Sequence, residues 1–330
     1  MKKITIVDVA KKADVSLASA SRALSGKGPV SEKIKEKVLQ AAKELGYIAD
    51  STAQNMRRSS THSIAVMIPD INRESIPLLV QGVEEVARKA GYSVLLYIAN
   101  DDAALEKQCV EEMLSRRVDG CILSSAACGS SAIYELRRNH IPVVQALRFI
   151  SNLSDAVVAD NFGGAYDAVS HLIKIGRRKI AICTGNTELA QNARRLEGYK
   201  KALLDGGIEF DDKRLIREAG NEESVLMAVN AYLKTDTPDA VFAVGDDKAI
   251  VCIKALTEHG YRVPQDVSVI GFDNIPIDRM IVPSLSSVVH DTRKMGSLAA
   301  ERLLQRIDNG MESDPIREVV KSELIVRDSV

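Results

Sequence analysis

The sequence predicts an α/β protein in which an all-α helix-turn-helix headpiece precedes a two-lobed core of doubly wound parallel sheets. The first 46 residues contain three helix-length apolar patterns separated by Ser, Gly and Pro residues. From Ser63 onward, short apolar runs alternate with amphipathic stretches in two successive series. Because such alternation is typical of parallel sheets covered by helices on both faces, each series predicts one lobe.

Basic residues are concentrated near the N-terminus. Residues 1–60 contain twelve Lys/Arg and six Asp/Glu, whereas the whole chain has a formal net charge of −1. A small basic domain on a larger acidic body is expected when one end of a protein meets phosphate groups.

The sequence has no apolar run of about 18 residues, no apolar leader segment and no Cys-x-x-Cys pair, so we expect a cytoplasmic protein with reduced thiols.

Three short helices are predicted in the headpiece. The first begins at Thr5, which stands in capping-box spacing with Asp8. Ser16 is expected to cap the second helix, from Leu17 to Ser25, and Ser31 the third, which ends at Gly46. Two short helices braced by a third form the arrangement that places the second helix in the major groove of DNA.

The second helix carries side chains suited to DNA. Arg22 could reach guanine, and Leu17 and Ala18 could contact thymine methyl groups. Hydroxyl groups suited to phosphate recur along the same helix, at Ser16, Ser19, Ser21 and Ser25. The residues alone leave open a second interpretation, an amphipathic three-helix domain with solvated basic side chains.

The headpiece sequence resembles that of the LacI/GalR family of transcription regulators. The similarity lies in the strings Asp8-Val9-Ala10, Val15-Ser16, Ser21-Arg22, Val30-Ser31 and Leu45-Gly46-Tyr47. The resemblance implies that residues 17, 18 and 22 contact bases, whereas Ser16, Ser19, Ser21 and Ser31 contact the backbone of a pseudo-palindromic operator. It also implies a hinge helix from Asp50 to about Arg58 that bears Ala53 and a minor-groove wedge at Met56, although a disordered linker is the alternative.

Residues 63–330 resemble the family's periplasmic-binding-protein-like core. The similarity is carried by strings such as Val118-Asp119-Gly120, Asp160-Asn161, residues 195–199 and residues 269–274. The resemblance implies a headpiece at 1–46, a hinge and linker at 47–62, and chain crossings between the lobes near 161, 290 and 322. Lobe 1 would comprise 63–161 and 291–321, including a helix at 292–308, and lobe 2 would comprise 162–290 and 322–330.

The same resemblance places a small-molecule effector between the lobes. It implies effector contacts at Arg195 and Asp273, with Asp160 and Asp246 as further candidates. Carboxylates and a guanidinium suit the hydroxyl groups of a sugar or another polar metabolite. From the residues alone, Arg195 could instead form a surface ion pair with Glu197 or Asp205, and Asp246 could cap a helix.

Two aromatic positions that are common in the family are polar in this sequence. Arg73-Glu74 replaces an Asn-Pro-Phe-Phe segment, and Glu222 follows Gly220-Asn221 where an aromatic residue is common. Because no ring is available there for stacking, the sequence favours a more polar or charged effector that contacts Arg73 or Glu222. We expect the five histidines to lie mostly at the surface or at helix ends.

The sequence contains no pattern typical of an enzyme. It has neither a phosphate-binding loop nor a nucleophile elbow, and no cluster of metal ligands, so we expect no cofactor and no metal. The prediction is a homodimeric DNA-binding regulator, by family default a repressor, that responds to a sugar-like effector. A regulator of the same fold that responds to a partner protein or a co-repressor is the alternative.

Overall fold

A computed structural model describes residues 4–25, 28–47, 60–73, 75–125, 130–217 and 221–330. The chain divides into two compact units, Met1–Thr61 and His62–Val330. The hinge predicted at 50–58 lies outside the described residues.

The described residues of the N-terminal unit form three helices. They are α1 (Ile6–Ala13), α2 (Leu17–Ser25) and α3 (Glu32–Leu45). The Thr5 amide donates to Asp8 over 2.8 Å, and Gly46 ends α3 in the left-handed conformation, as the capping pattern predicted. Small apolar side chains pack between the helices, namely Val9, Ala10, Ala13, Ala20, Ala23, Val38, Ala41 and Ala42.

The first sheet of the larger unit is entirely parallel. Its strands are β1 (Ser63–Ile68), β2 (Ser93–Ile98), β3 (Gly120–Leu123), β4 (Val143–Ala146), β5 (Asp155–Ala159) and β11 (Arg317–Val320), in the order β11-β5-β4-β3-β1-β2. The associated helices are α4 (Ser75–Lys89), α5 (Ala103–Arg116), α6 (Ala132–Arg138) and α11 (Thr292–Asn309). A Cβ at Gly296 would lie 2.2 Å from the Leu79 carbonyl, so α4 and α11 pack backbone to backbone.

The second sheet repeats this plan with one antiparallel edge strand, β12. Its strands are β6 (Ile180–Thr184), β7 (Leu215–Arg217), β8 (Ala240–Ala243), β9 (Ser268–Phe272), β10 (Ser286–Val289) and β12 (Glu323–Ile325), in the order β12-β10-β9-β8-β6-β7. The helices are α7 (Asn161–Lys174), α8 (Ala190–Asp205), α9 (Glu222–Leu233) and α10 (Asp246–Glu258). Each sheet has buried apolar clusters against it, so the predicted two-lobed α/β fold is confirmed.

The chain passes from one sheet to the other after β5, after β10 and after β11. Because β5, β10 and β11 each run parallel to a neighbouring strand, all three passages, at about residues 160, 290 and 321, start from the edge of a sheet where the parallel strands end. In open parallel sheets, ligands bind beyond the carboxyl ends of the strands. The loops that follow these strand ends are therefore the place to look for a site.

Candidate functional site

The exposed face of α2 carries the residues predicted to read bases. Leu17 is 50% exposed, and Ala18 and Arg22 are exposed as well. The opposite face, with Ala20 and Ala23, is buried in the three-helix core. Arg22 lies along its own helix, since its Nε donates to the Ala18 carbonyl over 3.2 Å.

Serine hydroxyls lie beside this face at the N-terminus of α2. The Ser16 Oγ accepts from the Ser19 amide at 3.1 Å and lies 2.9 Å from the Ser19 hydroxyl. Ser21 is half-buried on the same helix, and Ser31 caps α3 by accepting from the Ile34 amide at 3.4 Å. The N-terminus of α2 therefore presents hydroxyls and helix-end amides, which suit phosphate oxygens. The two hinge residues predicted to contact DNA, Ala53 and Met56, lie outside the described residues.

Arg195 contacts a group of side chains at the carboxyl ends of the second sheet's strands. It extends from α8 and is only 7% exposed. Its Nε donates to Asn161 Oδ1 over 2.8 Å, Nη1 donates to the Val244 carbonyl, and Nη2 donates to Asp273 Oδ1 over 3.4 Å. The guanidinium carbon lies 3.6 Å from the centre of the Phe272 ring. These contacts fix the plane of the guanidinium from several sides.

The surface ion pairs considered for Arg195 are made by its neighbours. Arg194 pairs with Glu197, and Lys201 pairs with Asp205 at 2.6 Å. Consecutive residues of a helix point in directions about 100° apart. Helix α8 therefore directs Arg194 outward and Arg195 inward.

Asp273 directly follows β9 and faces the Arg195 guanidinium. Its φ of 115° is unusual for a residue other than glycine, and its amide donates to the Val288 carbonyl over 2.8 Å. The side chain retains 26% exposure. Burial raises the pKa of the Asp273 carboxyl to about 6, against the opposing attraction of Arg195.

His290 completes this cluster at the end of β10. It is 6% exposed, its ring centre lies 5.8 Å from that of Phe272, and its Nε2 lies 4.0 Å from Asp273 Oδ1. Burial, together with the nearby Arg195 charge, lowers its pKa to about 3, so the imidazole is neutral. His290 is the exception to the expectation that the histidines lie mostly at the surface or at helix ends, because β10 is an interior strand whose carboxyl end is covered by its neighbours.

Asp246, a predicted effector contact, is 1% exposed at the start of α10. Its Oδ1 accepts from the Ser287 hydroxyl at 2.6 Å and its Oδ2 from the Ile275 amide at 3.1 Å. Burial, with Asp273 and Asp278 nearby, raises the pKa of Asp246 well above its usual value. With 1% exposure, the Asp246 carboxyl is enclosed by the protein.

The other predicted effector residues are spread over both lobes. Asp160 caps α7 by accepting from the Gly163 amide at 2.8 Å, and it lies at the first passage between the sheets. Glu222 is exposed in the first turn of α9. Arg73 is half-exposed after β1, with its Nη2 3.5 Å from Asp101 Oδ2.

An ion pair in the first lobe was missed by the sequence argument. The buried Arg148, after β4, donates Nη2 to Asp101 Oδ2 over 3.0 Å and Nη1 to the other oxygen. The Ser125 hydroxyl, after β3, donates to the same carboxylate over 3.2 Å. These residues are single positions in separate loops, so no local motif could have indicated their association.

The headpiece and the C-terminal half of the chain each match a family model. Residues 5–50 match the model of bacterial regulatory proteins of the lacI family, and residues 169–330 match that of a periplasmic binding protein-like domain. Catabolite control protein A of Priestia megaterium is 32% identical over 325 residues, which cover 98% of this chain and 96% of that protein. This chain belongs to the LacI family.

Solved structures of LacI-family regulators extend the match to the whole chain. The Lac repressor dimer bound to operator and the anti-inducer ONPF is 25% identical, with a TM-score of 0.89 over 99% of both chains. The CelR–cellobiose complex is 28% identical, with a TM-score of 0.77 over 99% of this chain and 100% of that one. The protein is therefore a DNA-binding transcription regulator, in agreement with the prediction that it is not an enzyme.

Across the described residues, no helix of this LacI-family chain is long and apolar enough to cross a membrane. In the same part of the chain, no group of three His, Cys, Asp or Glu residues is arranged to hold a metal ion. Among the described cysteines, Cys121, Cys183 and Cys252 are buried and Cys109 is half-buried, all as free thiols.

Proposed function

We propose that this LacI-family regulator is a homodimeric repressor whose operator affinity is controlled by a small polar metabolite, a sugar or sugar derivative, bound between the lobes. The observation that carries the proposal is the pairing of Arg195 with Asp273. A guanidinium has five N–H donors, and the protein contacts of Arg195 account for three of them. Two donors and the second oxygen of Asp273 are left for a ligand, which suits adjacent hydroxyl groups.

The first lobe contributes the other side of the proposed site. Asp160 at the first passage, and Arg73 beside the Asp101–Arg148 pair, follow the carboxyl ends of first-sheet strands. We propose that Arg73 and Glu222 select a more polar effector than a stacked sugar ring. The cellobiose in the CelR structure supports a carbohydrate as the general class.

On DNA, we propose that Leu17, Ala18 and Arg22 contact bases. The backbone would be held by Ser16, Ser19, Ser21 and Ser31, and the hinge residues Ala53 and Met56 would enter the minor groove. We propose a headpiece at 1–46, a hinge and linker at 47–62, and a core at 63–330 whose lobe 1 comprises 63–161 and 291–321. Because its target is chromosomal, the protein would act in the cytoplasm.

A homodimer is supported by apolar side chains that one chain leaves uncovered. Val282 is 95% exposed, Met280 74% and Met227 62%. Met280 and Val282 are two residues apart in the segment before β10, so one chain exposes two large apolar side chains at one place. A two-fold dimer would also place two headpieces on the two half-sites of a pseudo-palindromic operator.

The test is a thermal-shift panel of sugars, sugar acids, sugar phosphates and nucleobases on the full chain. A compound at 100 times its dissociation constant adds about 2.7 kcal/mol to the free energy of unfolding. We expect a stabilising compound to lose its effect in Arg195→Met but to keep it in the matched control, Arg194→Met, because Arg194 is half-exposed on the same helix.

Operator binding by both variants, measured by fluorescence anisotropy, checks that they are folded. A compound that stabilises Arg195→Met as strongly as the wild type binds elsewhere and contradicts the proposed site. A panel without any stabilising compound would favour control by a partner protein or by a ligand class outside the panel.

A further inference from the structure

The segment that carries Asp273 has an unusual backbone. Asp273 has a φ of 115°, and the next residue, Asn274, has a φ of 55°. Side chains other than glycine rarely adopt positive φ, and such conformations persist only where the surroundings hold them. The direction of the Asp273 carboxylate therefore depends on the contacts that fix residues 273–275.

Those contacts converge on Asp246. The Asn274 amide donates to the Ser287 hydroxyl over 3.0 Å, and that hydroxyl donates to Asp246 Oδ1 over 2.6 Å. The Ile275 amide donates directly to Asp246 Oδ2 over 3.1 Å. The two backbone N–H groups that follow Asp273 are thus bound to one carboxyl, one directly and one through a serine.

The surroundings of Asp246 are shaped to hold its carboxyl in place. Asp246 is 1% exposed and Ser287 is fully buried. A Cβ at Gly271 would lie 2.1 Å from Asp246 Oδ1, so the carboxyl has room only because that strand residue is glycine. Asp278, in the short 3₁₀ helix Pro276–Arg279, is fully buried close to Asp246 and raises the pKa of that carboxyl further.

We infer that Asp246 and Ser287 are positioning residues that hold residues 273–275 so that the Asp273 carboxylate meets Arg195 in the effector site. The inference rests on the proposed function, because it assigns Asp246 to positioning an effector contact rather than to contacting the effector. Asp246 sets the acceptor that the effector meets without touching the effector itself.

Hydrogen exchange of the full chain tests the inference without any ligand. We expect exchange of the amides in residues 274–280 to rise at least tenfold in Asp246→Asn, which keeps the side-chain size but replaces one acceptor oxygen with a donor. Ser287→Ala should raise exchange in the same residues, and the double variant should add little, since both act through one network. Asp247→Asn is the matched control, because Asp247 is exposed at the next position of the helix.

The result that overturns the inference is unchanged exchange at 274–280, or an increase spread through the whole second lobe. An equal increase in Asp247→Asn would also overturn it, because the cause would then be charge at the start of α10. If Asp246→Asn does not fold, Ser287→Ala decides the question alone, since it removes a single hydroxyl.

A pH profile separates positioning from general destabilisation. Asp273→Asn should change stability in a pH-dependent manner in the wild-type background, because Asp273 is held in a desolvated place. In Ser287→Ala, which loosens the segment but keeps the Asp246 carboxyl near Asp273, that pH-dependent difference should shrink to less than half. An unchanged profile overturns the inference, whereas a panel without sugar binding refutes only the proposed effector and leaves this result standing.

Discussion

Replacing Asp273 by Asn should stabilise the protein while weakening effector binding. Asn has nearly the same shape, lacks the charge, and is among the residues most often found at positive φ. The opposing effect is the loss of attraction to the buried Arg195, 3.4 Å away. The pKa of Asp273 lies near 6 rather than 3.8, although the attraction of Arg195 lowers it. The free-energy cost of burying the ionised carboxylate is therefore larger than the free energy gained from its attraction to Arg195.

The magnitude follows from linkage between protonation and folding. A pKa raised from 3.8 to about 6 corresponds to about 3 kcal/mol, at roughly 1.4 kcal/mol for each pKa unit. The folded state binds the proton more tightly, so stability falls as the pH rises from about 4 to 6, and the full cost remains above that range. Because the side chain retains 26% exposure, we expect Asp273→Asn to gain about 1–3 kcal/mol at pH 7.5.

Urea denaturation at equal protein concentration measures this gain at pH 5 and at pH 7.5. The difference between variant and wild type should be about twice as large at pH 7.5, because at pH 5 much of the wild-type cost is absent. A variant less stable than the wild type at pH 7.5, with a smaller deficit at pH 5, would refute the reasoning. It would mean that the Arg195–Asp273 attraction exceeds the cost of burial.

Two further predictions concern DNA. Arg22→Ala should lower affinity for the operator by about 1–3 kcal/mol and relax one base position, as anisotropy titrations with operator and random duplexes can show; an equal loss on both would make Arg22 a phosphate contact. Met56→Ala should reduce operator bending, measured by gel mobility of circularly permuted fragments, and leave dimerisation unchanged by sedimentation; unaltered bending would exclude a wedge at this residue.

The headpiece was predictable because its signals are local. The prediction placed α2 at Leu17–Ser25, and the structure has the same limits, since a serine before the helix and a Gly-Lys-Gly-Pro stretch after it act within a few residues. In the core, the sequence indicated the alternation of strands and helices and a helix at 292–308, which the structure has at Thr292–Asn309. Strands of three residues, such as β7 and β12, are too short to show a period.

The candidate site divides in the same way. The family motifs indicated Arg195 and Asp273, and the structure brings them within 3.4 Å. The sequence argument did not indicate His290 or the Arg148–Asp101 pair, whose members lie 47 residues apart. Each of these residues ends or follows a different strand, so their proximity depends on how the strands are ordered in the sheet.

The sequence by itself determined the fold class, the three-helix headpiece, the family, and Arg195 and Asp273 as the two candidates that the structure brings into contact. It could do so because helix caps, apolar periodicity and compact motifs are encoded within a few neighbouring residues. Only the tertiary structure decided that the Asp246 side chain is buried, with 1% exposure. That burial depends on the order of β8, β9 and β10 in the sheet, which lets Asp246 bind the Ser287 hydroxyl and the Ile275 amide.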